Sequence, residues 1–421
     1  MIERLLPLVA LAAATVSAAT PAPASQAAGK RGAGEERRTW SVWAESVHTA
    51  AGDAIQGALV TVSGGKIVAI AAAPEPGEDA DALRAGAITP GLIDLSCRMN
   101  GGTTSVEQSN EIMPAQRVEA SIDVFSPAWR EQWENGVTTV LVCPLDQDVI
   151  GGLGIVVKTG GPETLEARTV KRDAVLRGSF GTQPSQSNSP VFGRGPNGFY
   201  SRRPTTRMGV EWEWRKAFYD AIQGKSEGEP RERLMSALRG ELPVFAQAWT
   251  TQDIRTAVFL KEEMAREGFP DMRLIIDAGA EAWREPQLLV RTKTAVVLPP
   301  YQPTGRVGDS AFFALNTARV LLENGVKVAL SAHGADYFDR ALPIQAGYAL
   351  RGGLTFEEAL RAVTLEPARL VGIDSRVGSL AAGKDADLVL WSGRPFEPSS
   401  RVIGVMIEGR LLLDPREEAA R

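Results

Sequence analysis

Five polar side chains close short apolar runs in this 421-residue chain. Ser96 and Arg98 follow Leu92-Ile93-Asp94-Leu95 behind a Pro90-Gly91 turn, Gln247 follows Pro243-Val244-Phe245-Ala246, Asp277 follows Leu274-Ile275-Ile276, and His333 ends GVKVALSAH. Such runs are the pattern of strands buried on both faces, and the ends of such strands are where α/β sheets place reactive groups. Ser96 with His333, oriented by Asp277 or Asp336, would make a hydrolytic hydroxyl–imidazole pair. No Gly-x-Ser-x-Gly elbow surrounds Ser96, and a buried serine–histidine hydrogen bond serves structure equally. Arg98 and Lys158, with Gln247, Asp277 and His333, would line a cationic pocket selective for a carboxylate or phosphate. The alternative is that Arg98 is a plug, tied to Gln247 or Asp277.

A transition-metal site lacks its raw material. Zinc and its relatives are held by imidazole and thiolate with a carboxylate, and the chain has two histidines, His48 and His333, and two cysteines, Cys97 and Cys143, with no CxxC spacing. An all-oxygen Mg or Ca site would have Arg98 as a fixed cation at its centre. No cofactor is therefore expected. The formal net charge of −5 gives no footprint for nucleic acid.

The elements that must position these residues alternate. AITPGLIDLS, GVTTVLVCP, GIVVKTG, LPVFAQA, RLIIDAG, TAVVLPP and GVKVALSAH read as strands, with amphipathic helices such as PAWREQWENG, TQDIRTAVFLKEEMAREG and SAFFALNTARVLLENG between them. Thr355 and Glu358 stand at capping-box spacing. Repeated βα units over residues 90–375 suit a TIM-type (β/α)8 barrel, a doubly wound sheet being the other α/β arrangement. Short alternating strands at both chain ends, 40–89 and 376–415, suit a small β-sandwich built from both. On VEWEWRKAFYDAI the helical spacing puts Val210, Trp214, Ala217, Phe218 and Ala221 on a core face, and Trp212 and Tyr219 on the other. GGLGIVVKTGG lacks the register of a nucleotide loop and reads as a strand entered from a glycine turn. Residues 178–208, rich in Gly, Pro, Ser and Arg, read as a long loop, either a lid or a surface insertion.

Residues 1–24 carry Arg4, the apolar run Leu5–Val16 and small residues for cleavage, the pattern of a signal peptide, followed by a leader over 25–39. Secretion or export to a periplasm follows, with no transmembrane segment in the mature chain. In that oxidising setting Cys97 and Cys143 would either pair or stay as buried thiols.

TPGLID, GVTTVLVCP, TRMGVEWEWRKAF, GVKVAL and above all VGSLAAGKDADLVLW resemble, in this order, the amidohydrolase superfamily, nearest its imidazolonepropionase-like metal-dependent hydrolases. The resemblance covers residues 40–415 and implies the barrel and composite sandwich already described. It also implies metal ligands, and these are replaced: Ser96 and Arg98 stand at the HxH histidines, Gln247 and Ala278 at the two later histidines, and His333 at the aspartate that acts as general base. A degenerate member is expected, without a metal. It would be a pseudoenzyme serving as partner subunit of an active homologue or of itself, or a binder of an anionic small molecule. The alternative is a hydrolase of non-peptide or peptide-like C–N bonds with a rearranged site. In a closed barrel the first and last strands are neighbours, which would bring His333 near Ser96, and alternation would turn Cys97 toward the helices.

Overall fold

The computed structural model describes residues 39–77, 81–97, 105, 107, 109–186, 203–303, 308–333 and 341–418. The signal, the leader up to residue 38, Arg98, Asp336 and 187–202 of the long loop lie outside these. The described residues form fifteen strands: β1 Trp40–Val47, β2 Ile55–Ser63, β3 Lys66–Ala72, β4 Leu83–Pro90, β5 Leu92–Cys97, β6 Val137–Val142, β7 Ile150–Lys158, β8 Thr169–Ser179, β9 Val244–Gln247, β10 Leu274–Asp277, β11 Ala295–Leu298, β12 Val328–Leu330, β13 Leu388–Trp391, β14 Val402–Ile407 and β15 Arg410–Leu413. The helices are α1 Ala128–Glu134, α2 Leu165–Arg168, α3 Gln183–Gln186, α4 Arg207–Ile222, α5 Gly228–Leu238, α6 Thr251–Arg266, α7 Pro286–Arg291, α8 Thr317–Glu323, α9 Leu342–Arg351, α10 Phe356–Ala362, α11 Leu365–Val371 and α12 Pro415–Glu418. Among the described residues no helix is long and apolar enough to cross a membrane.

Strands from the two chain ends share one sheet, in the order β15-β14-β13-β4-β1-β2-β3. It folds back on itself: the β2–β3 hairpin exchanges main-chain hydrogen bonds with the segment before β13, through Ile67 N to Lys384 O (3.0 Å) and Ala386 N to Gly65 O (2.9 Å). Val42, Val60, Ile67, Ile88, Leu388 and Met406 fill the space between. This is the composite sandwich.

The remaining eight strands run in sequence order from β5 to β12 as a nearly closed barrel. Its seam is joined by a side chain, since Asp94 on β5 accepts from Ser331 Oγ (2.6 Å) and Ala332 N (3.0 Å) just past β12. The inside layers are Ile93, Leu95, Leu141, Val156, Val175, Phe245, Ile275, Val297 and Ala329, closed at one end by Leu370, Val371 and Ile373 from and beyond α11. A second cluster lies between barrel and helices and includes Cys97, Trp214, Val244, Ile276 and Leu330. Ile93 and Leu95 face inward, so strict alternation would carry Cys97 inward as well; it faces the helices instead. A register shift between Asp94 and Cys97 re-aims the strand end and Ser96 reaches inward.

The βα alternation is not uniform. β7 runs antiparallel to both β6 and β8, and the barrel strand absent from the seven apolar runs is β8, TVKRDAVLRGS, whose charges at Lys171, Arg172, Asp173 and Arg177 interrupt the apolar run. The capping box at Thr355 and Glu358 forms, through Glu358 N to Thr355 Oγ1 (3.2 Å) and Thr355 N to Glu358 Oε2 (2.8 Å). Val210, Trp214, Ala217, Phe218 and Ala221 are the buried face of α4, while Trp212 is 61% exposed. Of the 178–208 segment, the described parts form the end of β8, the short α3 and the start of α4.

Candidate functional site

The C-terminal ends of the parallel strands meet around Arg177, near the end of β8. Its side chain is placed by packing on the opposite face of the strand. Trp214 of α4 lies against Gly178, where an added Cβ would come within 2.3 Å of the indole, donates through Nε1 to Ser179 O (2.9 Å), and stacks on Phe180 with ring centroids 5.0 Å apart. Burying an indole of this kind is worth about 4–6 kcal/mol. With Gly178 held outward, Arg177 and Ser179 turn in.

The Arg177 guanidinium is 3% exposed and forks between two carboxylates. Nε and Nη2 donate to Asp146 Oδ1, in the loop after β6, and Nη2 also donates to Asp277 Oδ2 at the end of β10 (2.7 Å). The Phe245 ring lies 4.8 Å from its Cζ. Burial alone would lower this guanidinium, but Asp146 and Asp277 outweigh it and raise it above its ordinary value; it is a fixed positive charge. Gln247 at the end of β9 donates through Nε2 to Asp146 Oδ2, and Ser96 donates through Oγ to Asp277 Oδ2 (3.0 Å). Arg177 Nη1, Gln247 Oε1 and Asp277 Oδ1 are buried and make no hydrogen bond among the described residues.

Beside this group, Asp94 accepts from Ser96 N (3.0 Å) in addition to its seam bonds. Burial raises the Asp94 carboxyl, against the opposing pull of Ser331 Oγ and the amides of Ser96 and Ala332. The backbone is left-handed at Ala278 (φ 59°) and His333 (φ 57°), immediately beyond β10 and three residues beyond β12, a conformation that costs a non-glycine residue about 1–2 kcal/mol. His333 N donates to Ser331 Oγ (2.9 Å), and its imidazole meets the edge of Trp249 at 6.0 Å. Above the loops after β9, β10 and β11 opens a cleft of about 740 Å³, where Arg284 lies between the rings of Trp283 and Phe312.

Of the residues singled out by sequence, Ser96, Gln247 and Asp277 are drawn into one network, with Ala278 following Asp277. The Ser96 hydroxyl donates to a carboxylate, Asp277 Oδ2, which is not the serine–histidine arrangement of a hydrolytic pair. Lys158 is not part of the group. Because β7 is antiparallel, its last residue, paired in register with Thr139 near the start of β6, lies at the opposite pole. There Lys158 is 1% exposed and ion-pairs with Asp387 (2.5 Å) and Asp385 (3.2 Å) of the sandwich. Arg177 and Asp146 are the residues that sequence reasoning missed; the available signal was an arginine inside the otherwise apolar AVLRGS. No disulfide joins Cys97 and Cys143.

The model for the amidohydrolase family matches residues 314–412. Over 382 residues the chain is 25% identical to the imidazolonepropionase of Rhizobium meliloti (strain 1021), covering 80% of this chain and 86% of that protein. The crystal structure of an amidohydrolase from Thermotoga maritima MSB8 superposes with a TM-score of 0.76 at 26% identity, over 89% of this chain and all of that one. The chain belongs to the amidohydrolase superfamily. It is also 25% identical over 366 residues to the amidohydrolase tasK of Hapsidospora irregularis, of whose length it spans 36%.

The metal that the superfamily resemblance implies does not fit this donor set. The described positions offer a hydroxyl, a carboxamide, a methyl group and one imidazole, at Ser96, Gln247, Ala278 and His333, and the nearby carboxylates are already engaged, Asp146 and Asp277 by a guanidinium and Asp94 by Ser331 Oγ and the amides of Ser96 and Ala332. Among the described residues no cluster of three or more His, Cys, Asp or Glu is disposed to hold an ion.

Proposed function

We propose that this chain is a non-catalytic amidohydrolase-fold protein that acts as a partner subunit, of an active homologue or of itself. The observation that carries the reading is the guanidinium of Arg177, bound by Asp146 and Asp277 where the resemblance calls for a metal. A site of this kind has neither the Lewis acid nor the activated water of the metal hydrolases, and Ser96 has a carboxylate as its acceptor. The anionic-ligand version of the reading is weakened: Lys158 is at the other pole, and Arg177 is compensated by two carboxylates. A subunit role draws support from the exposed Met208 and Trp212 on α4 and Phe259 on the neighbouring α6. Export through residues 1–24 belongs to the same proposal.

The second reading, a hydrolase of C–N bonds with a rearranged site, is favoured by the names of the relatives, an imidazolonepropionase and amidohydrolases. Metal content separates the two. The protein, purified without chelators and then incubated with excess Zn, Mn and Fe, is expected to hold almost no ion by mass spectrometry. One tightly held ion per chain, or turnover in a screen of cyclic amides and dipeptides, would overturn the non-catalytic reading.

A further inference from the structure

Five separate segments of the barrel converge on one guanidinium. β8 supplies Arg177, the loop after β6 Asp146, β10 Asp277, β9 Gln247 through Asp146, and β5 Ser96 through Asp277. β8, β9 and β10 are ladder neighbours whose ends stand in register at Ser179, Gln247 and Asp277, whereas β5 and the loop after β6 are not ladder neighbours of β10, and the hydrogen bonds around the guanidinium tie them to it. A hard divalent cation would make the same demands on the same atoms. Asp146 and Asp277 carboxylates, the Gln247 Oε1 that has no hydrogen bond among the described residues, and the Ser96 hydroxyl are oxygen donors of the type that Mn, Mg or Ca takes. They cannot serve both occupants, because the guanidinium engages both carboxylates.

We propose that Arg177 is the built-in cation of this barrel, and that Arg177 and a divalent ion are mutually exclusive occupants of the Asp146–Asp277 carboxylate pair. The strand ends are thereby held in place without dependence on metal supply. This rests on the metal-free reading above and adds that the oxygen cradle is intact beneath the arginine. Its ligand class is a hard divalent cation or a free guanidinium compound.

The test is the melting temperature and isothermal titration of the full mature chain, wild type and Arg177→Ala, with Mn²⁺, Ca²⁺ or methylguanidinium at millimolar concentration. Wild type is expected not to respond. Arg177→Ala leaves two buried carboxylates uncompensated and is expected to melt lower, then to regain part of the loss with either additive, since a ligand that binds only the folded state stabilises it by mass action. Adding Asp277→Asn should abolish the Mn²⁺ response. If Arg177→Ala does not fold alone, its refolding yield with and without Mn²⁺ is the readout, and Arg177→Lys, which keeps the charge but loses the fork, should fold and show no Mn²⁺ response. A folded Arg177→Ala indifferent to both additives, or equal refolding yields, overturns this proposal and leaves the metal-free reading standing. Mn²⁺ bound by wild type as tightly as by Arg177→Ala overturns both.

Discussion

Lys158→Ala should be among the most damaging single substitutions in the chain, although it lies at the pole opposite the candidate site. Lys158 Nζ sits between Asp387 Oδ2 (2.5 Å) and Asp385 Oδ2 (3.2 Å), with all three side chains 4% exposed or less. Asp385 keeps Lys66 and Arg376 when Lys158 is removed, whereas among the described residues the Asp387 side chain keeps only the Thr138 hydroxyl and the Glu408 amide. Leaving a buried carboxylate without its cation costs about 3–5 kcal/mol. The folded unit from Glu36 to Arg421 has about 380 residues, and at ~2.1 cal/mol/K per residue its unfolding entropy is ~0.8 kcal/mol/K, so the melting temperature should fall by about 4–6 °C. Calorimetry of Lys158→Ala, Asp387→Ala and the double variant should show the double losing less than the sum of the singles. The loss should persist in high salt, because a buried pair is weakly screened. Burial alone would raise the Asp385 carboxyl, but Lys158, Lys66 and Arg376 hold it below its ordinary value. Its contribution is therefore present above the unfolded carboxylate range and is lost as pH falls through the folded value, so the gap between wild type and Lys158→Ala should narrow in acid. A melt within about 1 °C of wild type, or a loss that salt erases, would refute the reasoning that this pair locks sandwich to barrel.

Burial pushes the Cys143 thiol up to about 12, which leaves on the order of one thiolate in ten thousand at pH 8; native protein should react negligibly with Ellman's reagent, and the denatured, unreduced chain should show both thiols, a disulfide being the refuting result. Lys261 is buried in α6, its amine donates to Thr292 O, and burial together with Lys293 lowers it to about 8. The folded state thus disfavours its charge below that pH, so Lys261→Met should stabilise most at pH 7, by about 1–3 kcal/mol, and lose its advantage by pH 10; a gain that does not shrink in urea titrations at rising pH would count against it. Gly178→Ala should lower the urea midpoint by the equivalent of about 1–3 kcal/mol, since its Cβ would stand 2.3 Å from the Trp214 ring and 2.4 Å from Val149 O; an unchanged midpoint would remove Trp214 from the account of how Arg177 is aimed. If α4 is the subunit contact, Met208→Ser with Trp212→Ser should lower the native mass of the assembly, and an identical mass would dismiss that face.

Local patterns in the chain were enough for the strand–helix alternation of the barrel, the buried face of α4 and the capping box at Thr355, whereas the inward turn of Ser96 and the outward turn of Cys97 depend on the register shift in β5. The first three depend on periodicity and short-range chemistry, which a sequence displays directly. The scarcity of histidine is likewise a property of composition and rules out an imidazole-rich centre before any fold is known. Strand direction is different. Lys158 and Arg177 both sit near the ends of barrel strands, and nothing local tells which pole either will reach. That is decided when β7 pairs antiparallel with β6 and β8, which sends Lys158 down to the aspartates of the sandwich and brings Arg177 up between Asp146 and Asp277. Charge complementarity then holds each in place, through partners 100 residues or more away in all but one case. β8 falls outside the apolar-run pattern because the Lys171–Asp173 charges and Arg177 interrupt it. Only the tertiary structure could pair that charge and make it part of a core.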